Sequence, residues 1–379
     1  MSKILFISNI SYRITSFVSA SISAAHDIDL GFYHASNWES AKDGQVQIDE
    51  AEYDIKINNV HISRNPFGFS NLKAYKELVE LIKREKIDYI HCNTPTGGIL
   101  GRLAGKKCKV KKVIYQAHGF HFYKGAPKKN WLLYYTVEKL LARYTDALIT
   151  INQEDYEIAQ NKLKLRNNGN VYFVHGVGID TAQYNRDSVT RLIKRSELGL
   201  KDNDVAVISM GDLIDRKNYD VAIRAIAEAN NPSLHYFICG KGPKADNLKA
   251  LAEGLGVAEQ VHFLGFRTDI KELLNAVDVF LFTTKQEGLP RSMMEAMAFG
   301  LPCIASRIRG NTDMLEGTEG GFLCETMNVS AYAEKLNLLA NDKTLRESMG
   351  ESNLVTIQKF STETVTDEIR KIYINELCR

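Results

Sequence analysis

The feature that most constrains this 379-residue chain is an alternation of short apolar segments with longer amphipathic ones, which runs through the sequence twice. KILFISNI at 3–10 is rich in β-branched and aromatic residues and predicts a buried strand. By contrast, 71–86 repeats apolar residues, and 130–145 aromatic residues, at helical spacing, so each predicts a helix. Strands that alternate with helices form parallel sheets covered on both faces. The sequence therefore predicts an α/β protein with two doubly wound, Rossmann-like sheets. The predicted strands span 3–10, 28–34, 88–93, 112–118, 147–152 and 170–175 in the first series, and 205–211, 234–240, 261–266, 277–284 and 302–306 in the second.

A polar, helix-prone stretch at 181–203 separates the two series, and we interpret it as a linker. We expect an N-terminal domain over 1–185 and a C-terminal domain over 200–360. The last predicted helix, within 361–379, is expected to pack back on the N-terminal domain. Because ligands of such sheets bind beyond the carboxyl ends of the strands, the two domains are expected to face a central cleft.

Composition excludes several classes of protein. The chain is 44% hydrophobic and 25% charged, as globular proteins are, and it has no run of about 18 apolar residues that could span a membrane. The N-terminal sequence, MSKILFISNISYRI, lacks the basic start and the cleavage site of a signal peptide. The six cysteines form no C-x-x-C pair, which argues against a disulfide framework and a zinc site. We therefore expect a cytoplasmic protein.

Positive charge is concentrated within the first series. Residues 101–150 hold 11 Lys and Arg against 2 Asp and Glu, although the net charge of the whole chain is only +2. Unless it is simply a solvated face, such a patch indicates an anionic partner or contact with a membrane surface. Nucleic acid is not expected as a partner, because the sequence contains no recognisable nucleic-acid-binding module.

The most specific local pattern is FTTKQEGLPRSMMEAMAFGLPCIAS at 282–306. A predicted strand ends here, a loop with glycine and proline follows, and a helix begins near Arg291. Glu287 and Glu295 stand eight positions apart across this junction. Free amides at a helix start can hold an anion or sugar hydroxyls, and a carboxylate can accept paired hydrogen bonds from a diol. The pattern therefore predicts a site that grips a sugar ring and a ribose.

This segment resembles the E-x7-E region of retaining GT-B glycosyltransferases, in particular those of family 4. HCNTPTGGILGRLAG at 91–105 and AHGFHFYKGAPKKNWLLYYTVEKLLARYTDALITINQEDY at 117–156 are similar to members that act in bacterial capsular and exopolysaccharide assembly. The resemblance covers about residues 60–360. It implies a GT-B fold and a retaining transferase that moves a sugar from a nucleotide-sugar, UDP-linked in this subgroup, to a lipid-linked saccharide. It further implies that the acceptor attacks the sugar on the face that the nucleotide leaves, without an enzymic nucleophile. The pathway that it implies is the assembly of a capsule, an exopolysaccharide or an O-antigen.

The resemblance also implies roles for residues of the C-terminal domain. Glu287 would hold the sugar, Glu295 the ribose and Lys217 the diphosphate. Family members carry a G-R pair where this chain has Asp212, so Arg216 is a candidate substitute for the missing arginine. Without the resemblance, Arg216 and Lys217 could equally be a surface pair at a helix start. The implied donor-binding residues are Arg216, Lys217, Gly240, Phe266, Arg267, Gly288, Leu289, Pro290, Arg291 and Glu295.

In the N-terminal domain, the resemblance places His118 of the A-H-G motif beside the donor sugar as a catalytic residue. His121 could face the acceptor or be structural. Gly97 and Gly98 could offer amides to the acceptor or merely form the turn that begins a helix. These residues, with Lys124, are the implied acceptor-binding set, and Glu287 and Lys217 complete the implied catalytic set.

The loop at 122–131 combines Lys124 with two further lysines and with aromatic residues. Lysines attract anionic headgroups and aromatic side chains suit the bilayer interface. We expect this loop to help bind a polyprenyl-diphosphate-linked saccharide at the inner membrane surface, unless it is only an exposed basic loop.

No metal and no cofactor are expected. The D-x-D triplets at 27–29 and 202–204 do not follow strands in the way that the metal site of GT-A transferases requires. Two alternative functions stay open: a nucleotide-sugar 2-epimerase on the same scaffold, and a catalytically inactive GT-B partner subunit. The replacement at Asp212 favours the second, whereas the presence of both glutamates, Lys217 and His118 argues against it. A Rossmann dehydrogenase is not expected, because no G-x-G-x-x-G follows the first strand.

Overall fold

Two parallel β-sheets organise the chain, each within its own structural unit. The computed structural model describes residues 1–66 and 68–378. The first unit contains residues 1–178 and resumes at Thr362, and the second unit spans Ile179–Ser361. Residues 179–185, which the sequence analysis assigned to the first domain, therefore lie in the second unit. The expected cleft between the domains stays a prediction.

The first unit is built on a seven-stranded sheet in which all neighbouring strands are parallel. Its strands are β1 (Lys3–Ile10), β2 (Gly31–Asn37), β3 (Lys56–Asn59), β4 (Tyr89–Asn93), β5 (Lys112–Ala117), β6 (Ala147–Thr150) and β7 (Asn170–Phe173). They lie in the order β3-β2-β1-β4-β5-β6-β7, so the chain moves outward from β1 and then returns to its other side at β4. This is the doubly wound arrangement that the sequence predicts.

Helices between these strands cover the sheet. They are α1 (Ser16–His26), α2 (Asp43–Tyr53), α3 (Ser70–Glu85), α4 (Pro95–Cys108), α5 (Lys128–Asn130), α6 (Thr136–Leu141) and α7 (Gln153–Lys162). α3 buries Leu78, Leu81 and Ile82, and each such side chain contributes about 1.5–3 kcal/mol on burial. The helix predicted over 130–145 is interrupted, because Trp131–Tyr135 forms a π-helical turn between α5 and α6.

The second unit is built on a six-stranded parallel sheet in the order β10-β9-β8-β11-β12-β13. Its strands are β8 (Val205–Met210), β9 (Leu234–Cys239), β10 (Val261–Gly265), β11 (Val279–Phe282), β12 (Cys303–Ser306) and β13 (Gly321–Cys324). Its helices are α8 (Ser188–Glu197), α9 (Tyr219–Ala229), α10 (Ala245–Gly254), α11 (Ile270–Ala276), α12 (Arg291–Ala298), α13 (Asn311–Leu315), α14 (Val329–Asn341) and α15 (Lys343–Thr356). The order of strands reverses between β8 and β11, which places the loops after these two strands side by side.

The predicted linker is part of the second unit. α8 lies within 181–203, and its Arg191 and Arg195 both form ion pairs with the carboxylate of Asp278, at 2.5 and 3.0 Å. The same carboxylate accepts a hydrogen bond from the Ala206 amide at 2.8 Å. The interpretation of this stretch as a separate linker is therefore wrong, because these contacts fix α8 to the sheet beside β8.

The last helix, α16 (Thr362–Leu377), belongs to the first unit although it follows the second in the chain. Its Tyr373 hydroxyl lies 2.7 Å from Nδ1 of His91 on β4, in the interior of the unit. Its Glu376 carboxylate accepts a hydrogen bond from the Tyr172 hydroxyl at 2.8 Å. None of the described helices combines the length and the apolar character needed to cross a bilayer.

Candidate active site

A cavity of about 460 Å³ lies at the carboxyl edge of the second sheet. Its walls come from the segments that follow β8, β9, β10 and β11, which is the edge where parallel sheets bind ligands. The predicted donor residues that line it are Lys217, Gly240, Phe266, Arg267, Glu287, Leu289, Pro290, Arg291 and Glu295. Arg216 and Gly288, the other two, lie next to lining residues in the chain and outside the lining itself. We call this space the donor cavity.

The Glu287 carboxylate is the centre of a cluster of charges in the donor cavity. Its Oε1 accepts hydrogen bonds from Lys217 Nζ at 2.8 Å, from Arg216 Nη1 at 2.8 Å and from Thr284 Oγ1 at 2.9 Å. Arg309 Nε fixes the backbone by donating to the Glu287 carbonyl at 3.1 Å. Two cations share one carboxylate, so the cluster carries a net positive charge that an incoming anion would meet.

Gly240 is required by close packing of the loops below this cluster. A Cβ atom on Gly240 would come within 1.9 Å of the Gly211 carbonyl oxygen, a distance that no side chain can occupy. The Gly240 amide donates to the Gly265 carbonyl at 2.8 Å, and the Gly211 amide donates to the Cys239 carbonyl at 2.9 Å. The glycine-rich turn therefore has a packing function, and its predicted contact with the donor stays a prediction.

The start of α12 presents both a carboxylate and backbone amides to the cavity. Glu295 Oε1 accepts a hydrogen bond from Arg291 Nε at 3.0 Å and lies 3.5 Å from the Tyr184 hydroxyl. Leu289, Arg291 and Ser292 line the cavity at the point where the helix begins. The first N–H groups of a helix have no intrahelical acceptor, so this end can bind oxygen atoms of a ligand.

The far wall of the donor cavity is formed by Phe266 and Arg267 after β10. The Phe266 side chain is 70% exposed, so its ring is free to contact a planar ligand. Arg267 forms two hydrogen bonds to Asp269, at 2.7 and 2.5 Å, and a third to Glu197 at 3.1 Å. The Arg267 guanidinium holds the pKa of the Asp269 carboxyl well below its usual range. The Arg267 side chain is thus fixed by carboxylates of its own unit.

In the first unit, His118 follows β5 at the carboxyl edge of the sheet. Its Nε2 lies 3.0 Å from Oδ1 of Asn93, which ends the neighbouring strand β4. With Nε2–H donating to this oxygen, Nδ1 is the acceptor nitrogen of a neutral imidazole. Burial lowers the pKa of His118 to about 3, so the ring stays uncharged near neutral pH.

A second cavity, of about 420 Å³, opens beside His118. Most of its wall is apolar, and both His118 and the predicted acceptor residue His121 line it. The His121 ring lies 4.8 Å from that of Tyr134, on the π-helical turn. Lys124 is exposed and lies outside this lining, and its amide donates to Glu154 at 2.5 Å. We call this space the apolar cavity.

Gly97 and Gly98 do not present their amides to either cavity. The Gly97 amide donates to Oδ1 of Asn9 at 2.8 Å, and the Gly98 amide donates to the Thr94 carbonyl at 2.8 Å. A Cβ atom on Gly98 would come within 2.4 Å of the Tyr115 ring. Both glycines therefore allow α4 to pack closely, and their predicted contact with the acceptor stays a prediction.

Two known protein families match separate parts of the chain. Residues 3–152 match the family described as glycosyl transferase 4-like, and residues 190–354 match glycosyl transferases group 1. The EpsD protein of Bacillus subtilis (strain 168), named as a glycosyltransferase, is 35% identical over 378 residues, which cover 98% of this chain and 96% of that protein. The chain belongs to the glycosyltransferases. Its two parallel sheets are those of the GT-B fold, as the resemblance implies.

Two further similarities concern the ligands of other glycosyltransferases. The UDP-Gal:α-D-GlcNAc-diphosphoundecaprenol α-1,3-galactosyltransferase of Escherichia coli is 30% identical over 319 residues, 83% of this chain and 82% of that enzyme. The crystal structure of Anabaena HepE in complex with UDP superposes with a TM-score of 0.79, at 20% identity, and covers 98% of this chain and 100% of that one. At 20% identity, the similarity to HepE shows a shared fold.

Several residues of the glycosyltransferase site were missed by the sequence analysis. Thr284 and Arg309 hold Glu287, Tyr184 approaches Glu295, and Asn93 binds His118. Arg309 directly precedes a glycine after β12, a pattern that could have drawn attention to it. The other three carry no local signal, because each acts through a contact with a distant segment.

The part of the chain that the structure describes offers no candidate site for a resident metal ion. Among residues 1–66 and 68–378, no three His, Cys, Asp or Glu side chains cluster in a way that could hold one. The expectation that transfer proceeds without a metal or cofactor stays a prediction for the glycosyltransferase.

Proposed function

We propose that this glycosyltransferase moves a sugar from a UDP-sugar to a lipid-linked saccharide, with retention of configuration, during assembly of a bacterial surface polysaccharide. The observation that carries the proposal is that one cavity holds both glutamates of the E-x7-E pattern together with Lys217. A nucleotide-sugar needs a cation for its diphosphate and carboxylates for its two rings, and the cavity provides both.

The residues of the donor cavity can bind the base, the ribose, the diphosphate and the sugar of a UDP-sugar, in that order. Phe266, 70% exposed at one end, can stack on the base, and Glu295 can bind the ribose diol. Lys217 and the amides at the start of α12 can bind the diphosphate, and Glu287 is next to them for the sugar. Arg216 shares Oε1 of Glu287 with Lys217 and is thereby placed to substitute for the arginine absent at Asp212. The HepE complex with UDP, on the same fold, supports this base as the first one to test.

Retention is supported by the chemistry available in the donor cavity. The name of the Escherichia coli relative gives the bond that it forms as α-1,3, which is the outcome expected when the sugar of an α-linked nucleotide-sugar is transferred with retention. Glu287 is held by two cations through Oε1, which disfavours its use as a nucleophile. Attack of the acceptor hydroxyl on the face that the diphosphate leaves needs no such nucleophile, because the leaving phosphate can take the proton.

The acceptor side of the proposal is supported by the surface of the first unit. Leu132 and Leu133 in the π-helical turn are 77% and 45% exposed, and Lys128 and Lys129 precede them in α5. Exposed apolar residues beside lysines favour contact with an anionic membrane, where a lipid-linked acceptor resides. The Escherichia coli relative acts on such an acceptor, a diphosphoundecaprenol-linked sugar.

The proposal is tested by thermal unfolding with a panel of nucleotides and nucleotide-sugars, with and without EDTA. A ligand at 100 times its dissociation constant stabilises the protein by about 2.7 kcal/mol, which shifts the midpoint by a few degrees. We expect a response to UDP and to one UDP-sugar that EDTA does not change and that Glu295→Ala abolishes. No response to any nucleotide would favour the inactive partner, and conversion of a UDP-sugar without acceptor would favour the epimerase.

A further inference from the structure

The carboxyl edge of the first sheet carries another cavity, of about 380 Å³, that the proposed function leaves without a ligand. It lies beside the ends of β1 and β4, where the order of the strands reverses, and parallel sheets bind ligands at this position. Its wall contains two arginines, Arg13 and Arg64, together with the amide of Asn9 and several hydroxyl groups. We call it the polar cavity.

The polar cavity has positive charge without a matching negative charge. No aspartate or glutamate lines it, and neither Arg13 nor Arg64 forms an ion pair with any residue of 1–66 or 68–378. A guanidinium without a carboxylate partner is available to bind an anion, and its planar fork matches the oxygen atoms of a phosphate. Charge and geometry thus favour a phosphate-bearing ligand.

The polar cavity adjoins the apolar cavity. Thr94 and Pro95, at the junction of β4 and α4, line both of them. Thr94 has a φ of 65°, which is rare for a β-branched residue, and its hydroxyl donates to Oδ1 of Asn9 at 2.7 Å. Thr94 and Pro95 thus separate the two cavities, and on their other side the wall of the apolar cavity includes Ile99, Phe120 and Leu133. A ligand that occupies both cavities would need an anionic part and a hydrocarbon part next to each other.

We propose that these two cavities bind the lipid end of the acceptor, with the diphosphate in the polar cavity and the adjoining isoprenyl units in the apolar cavity. The inference rests on the proposed function for the statement that the acceptor is lipid-linked. The residues themselves supply the rest: two unpaired guanidinium groups for a diphosphate, and an apolar wall for a prenyl chain. The volumes, about 380 and 420 Å³, lie within the roughly 300–1,000 Å³ of small-molecule sites.

The test is a calorimetric titration of the full-length protein with farnesyl diphosphate, inorganic pyrophosphate and farnesol. UDP is present at saturation, so that the donor cavity cannot take the diphosphate of the probe. We expect farnesyl diphosphate to bind at least about tenfold more tightly than either pyrophosphate or farnesol, because only it fills both cavities.

Matched variants assign this binding to each cavity. Arg13→Ala and Arg64→Ala are each expected to weaken farnesyl diphosphate about tenfold, while Arg143→Ala, at an exposed position of the same unit, leaves it unchanged. Leu133→Asp places a charge at the apolar cavity and is expected to have a similar effect. Leu140→Asp, at an exposed position of α6 outside the cavity lining, is its control. All five positions are exposed, so the variants are expected to fold.

Each other outcome overturns the proposal in a recognisable way. Pyrophosphate that binds as tightly as farnesyl diphosphate would mean a free phosphate site, and farnesol that does so would mean an apolar site alone. Binding that survives both arginine variants would place the diphosphate elsewhere. If the protein does not bind UDP, the proposed function fails, and the same titration without UDP still decides whether the two cavities bind the prenyl diphosphate.

Discussion

Nζ of Lys217 lies 2.8 Å from Oε1 of Glu287, across the two loops that follow β8 and β11. Both side chains are 13% exposed, so the pair is largely shielded from solvent but reaches the wall of the donor cavity. Gly211 leaves space for the lysine, since a Cβ there would lie 3.1 Å from Lys217 Cε. A diphosphate that enters the cavity therefore meets a lysine that is already oriented.

Replacing this lysine tests the donor cavity directly. Lys217→Ala is expected to lower kcat/KM for the UDP-sugar by about 10²–10³, because it removes a fixed charge on which the leaving diphosphate depends. Lys201→Ala, at an exposed position of the same unit, serves as the matched control. Steady-state kinetics of both variants make the comparison, and a loss of less than threefold in Lys217→Ala would rule out this role.

Gly240→Ala is expected to destabilise the second unit and to abolish the thermal response to UDP. The added methyl group would overlap the Gly211 carbonyl, and overpacking of this kind costs about 1–3 kcal/mol. Gly254→Ala is the control, because nothing lies within 4 Å of its Cβ position in α10, and we expect it to be neutral or to stabilise by about 0.5–1 kcal/mol. Urea unfolding measures both, and equal stability of the two variants would contradict the packing function of Gly240.

The first unit is expected to lose stability as the pH falls below 6.5. Burial lowers the pKa of His34, of His91 and of His118 to about 3, from 6.5 in the unfolded chain. Between these values the unfolded chain binds three protons that the folded unit does not, so stability is full above pH 6.5 and falls toward pH 3 by about 4 kcal/mol per pH unit.

A comparison of variants isolates this effect from that of the carboxylates. His34→Gln should lose about a third of the histidine contribution between pH 6 and pH 4, whereas His26→Gln, at an exposed position, should behave as the unaltered protein does. Urea unfolding at several pH values gives the slopes. The same pH dependence in His34→Gln as in the unaltered protein would show that burial does not keep this ring neutral.

Glu138→Gln is expected to destabilise the first unit by about 3–5 kcal/mol. Arg102 is 1% exposed and its Nη1 lies 2.6 Å from Oε2 of Glu138, so the variant leaves a buried guanidinium without a countercharge. The double variant Arg102→Met with Glu138→Leu should recover most of the loss, because it removes both charges. Glu80→Gln on the exposed face of α3 is the control in the same unfolding experiment, and a Glu138→Gln variant as stable as this control would contradict the expectation.

The strands that the sequence predicts are those with continuous apolar runs, and the two it misses are short edge strands. β3 has the sequence KINN, with one apolar residue, and β13 has four residues. Each of these strands pairs with one neighbouring strand, and its formation depends on that pairing. A pattern of neighbouring residues in the sequence does not reveal such a pairing. The break at Trp131–Tyr135 was missed for a similar reason, because the aromatic spacing there fits a regular helix.

Local patterns also limited what could be predicted of the site. The E-x7-E segment predicts that Glu287 and Glu295 line the same site, because both lie on one strand–loop–helix junction. The pairing of Glu287 with Lys217 was not predicted, since it depends on β8 lying beside β11. The family resemblance instead implies that the two side chains bind different parts of the donor.

The position of α16 has a consequence for synthesis of the protein. His91 on β4 pairs with Tyr373, and the hydroxyl of Tyr89 donates to the Leu377 carbonyl at 3.0 Å. The first unit thus lacks one of its core helices until the ribosome has translated the whole of the second. Nascent chains that carry only residues 1–178 would expose the apolar surface that α16 covers, so the second unit is the first that can finish folding during translation.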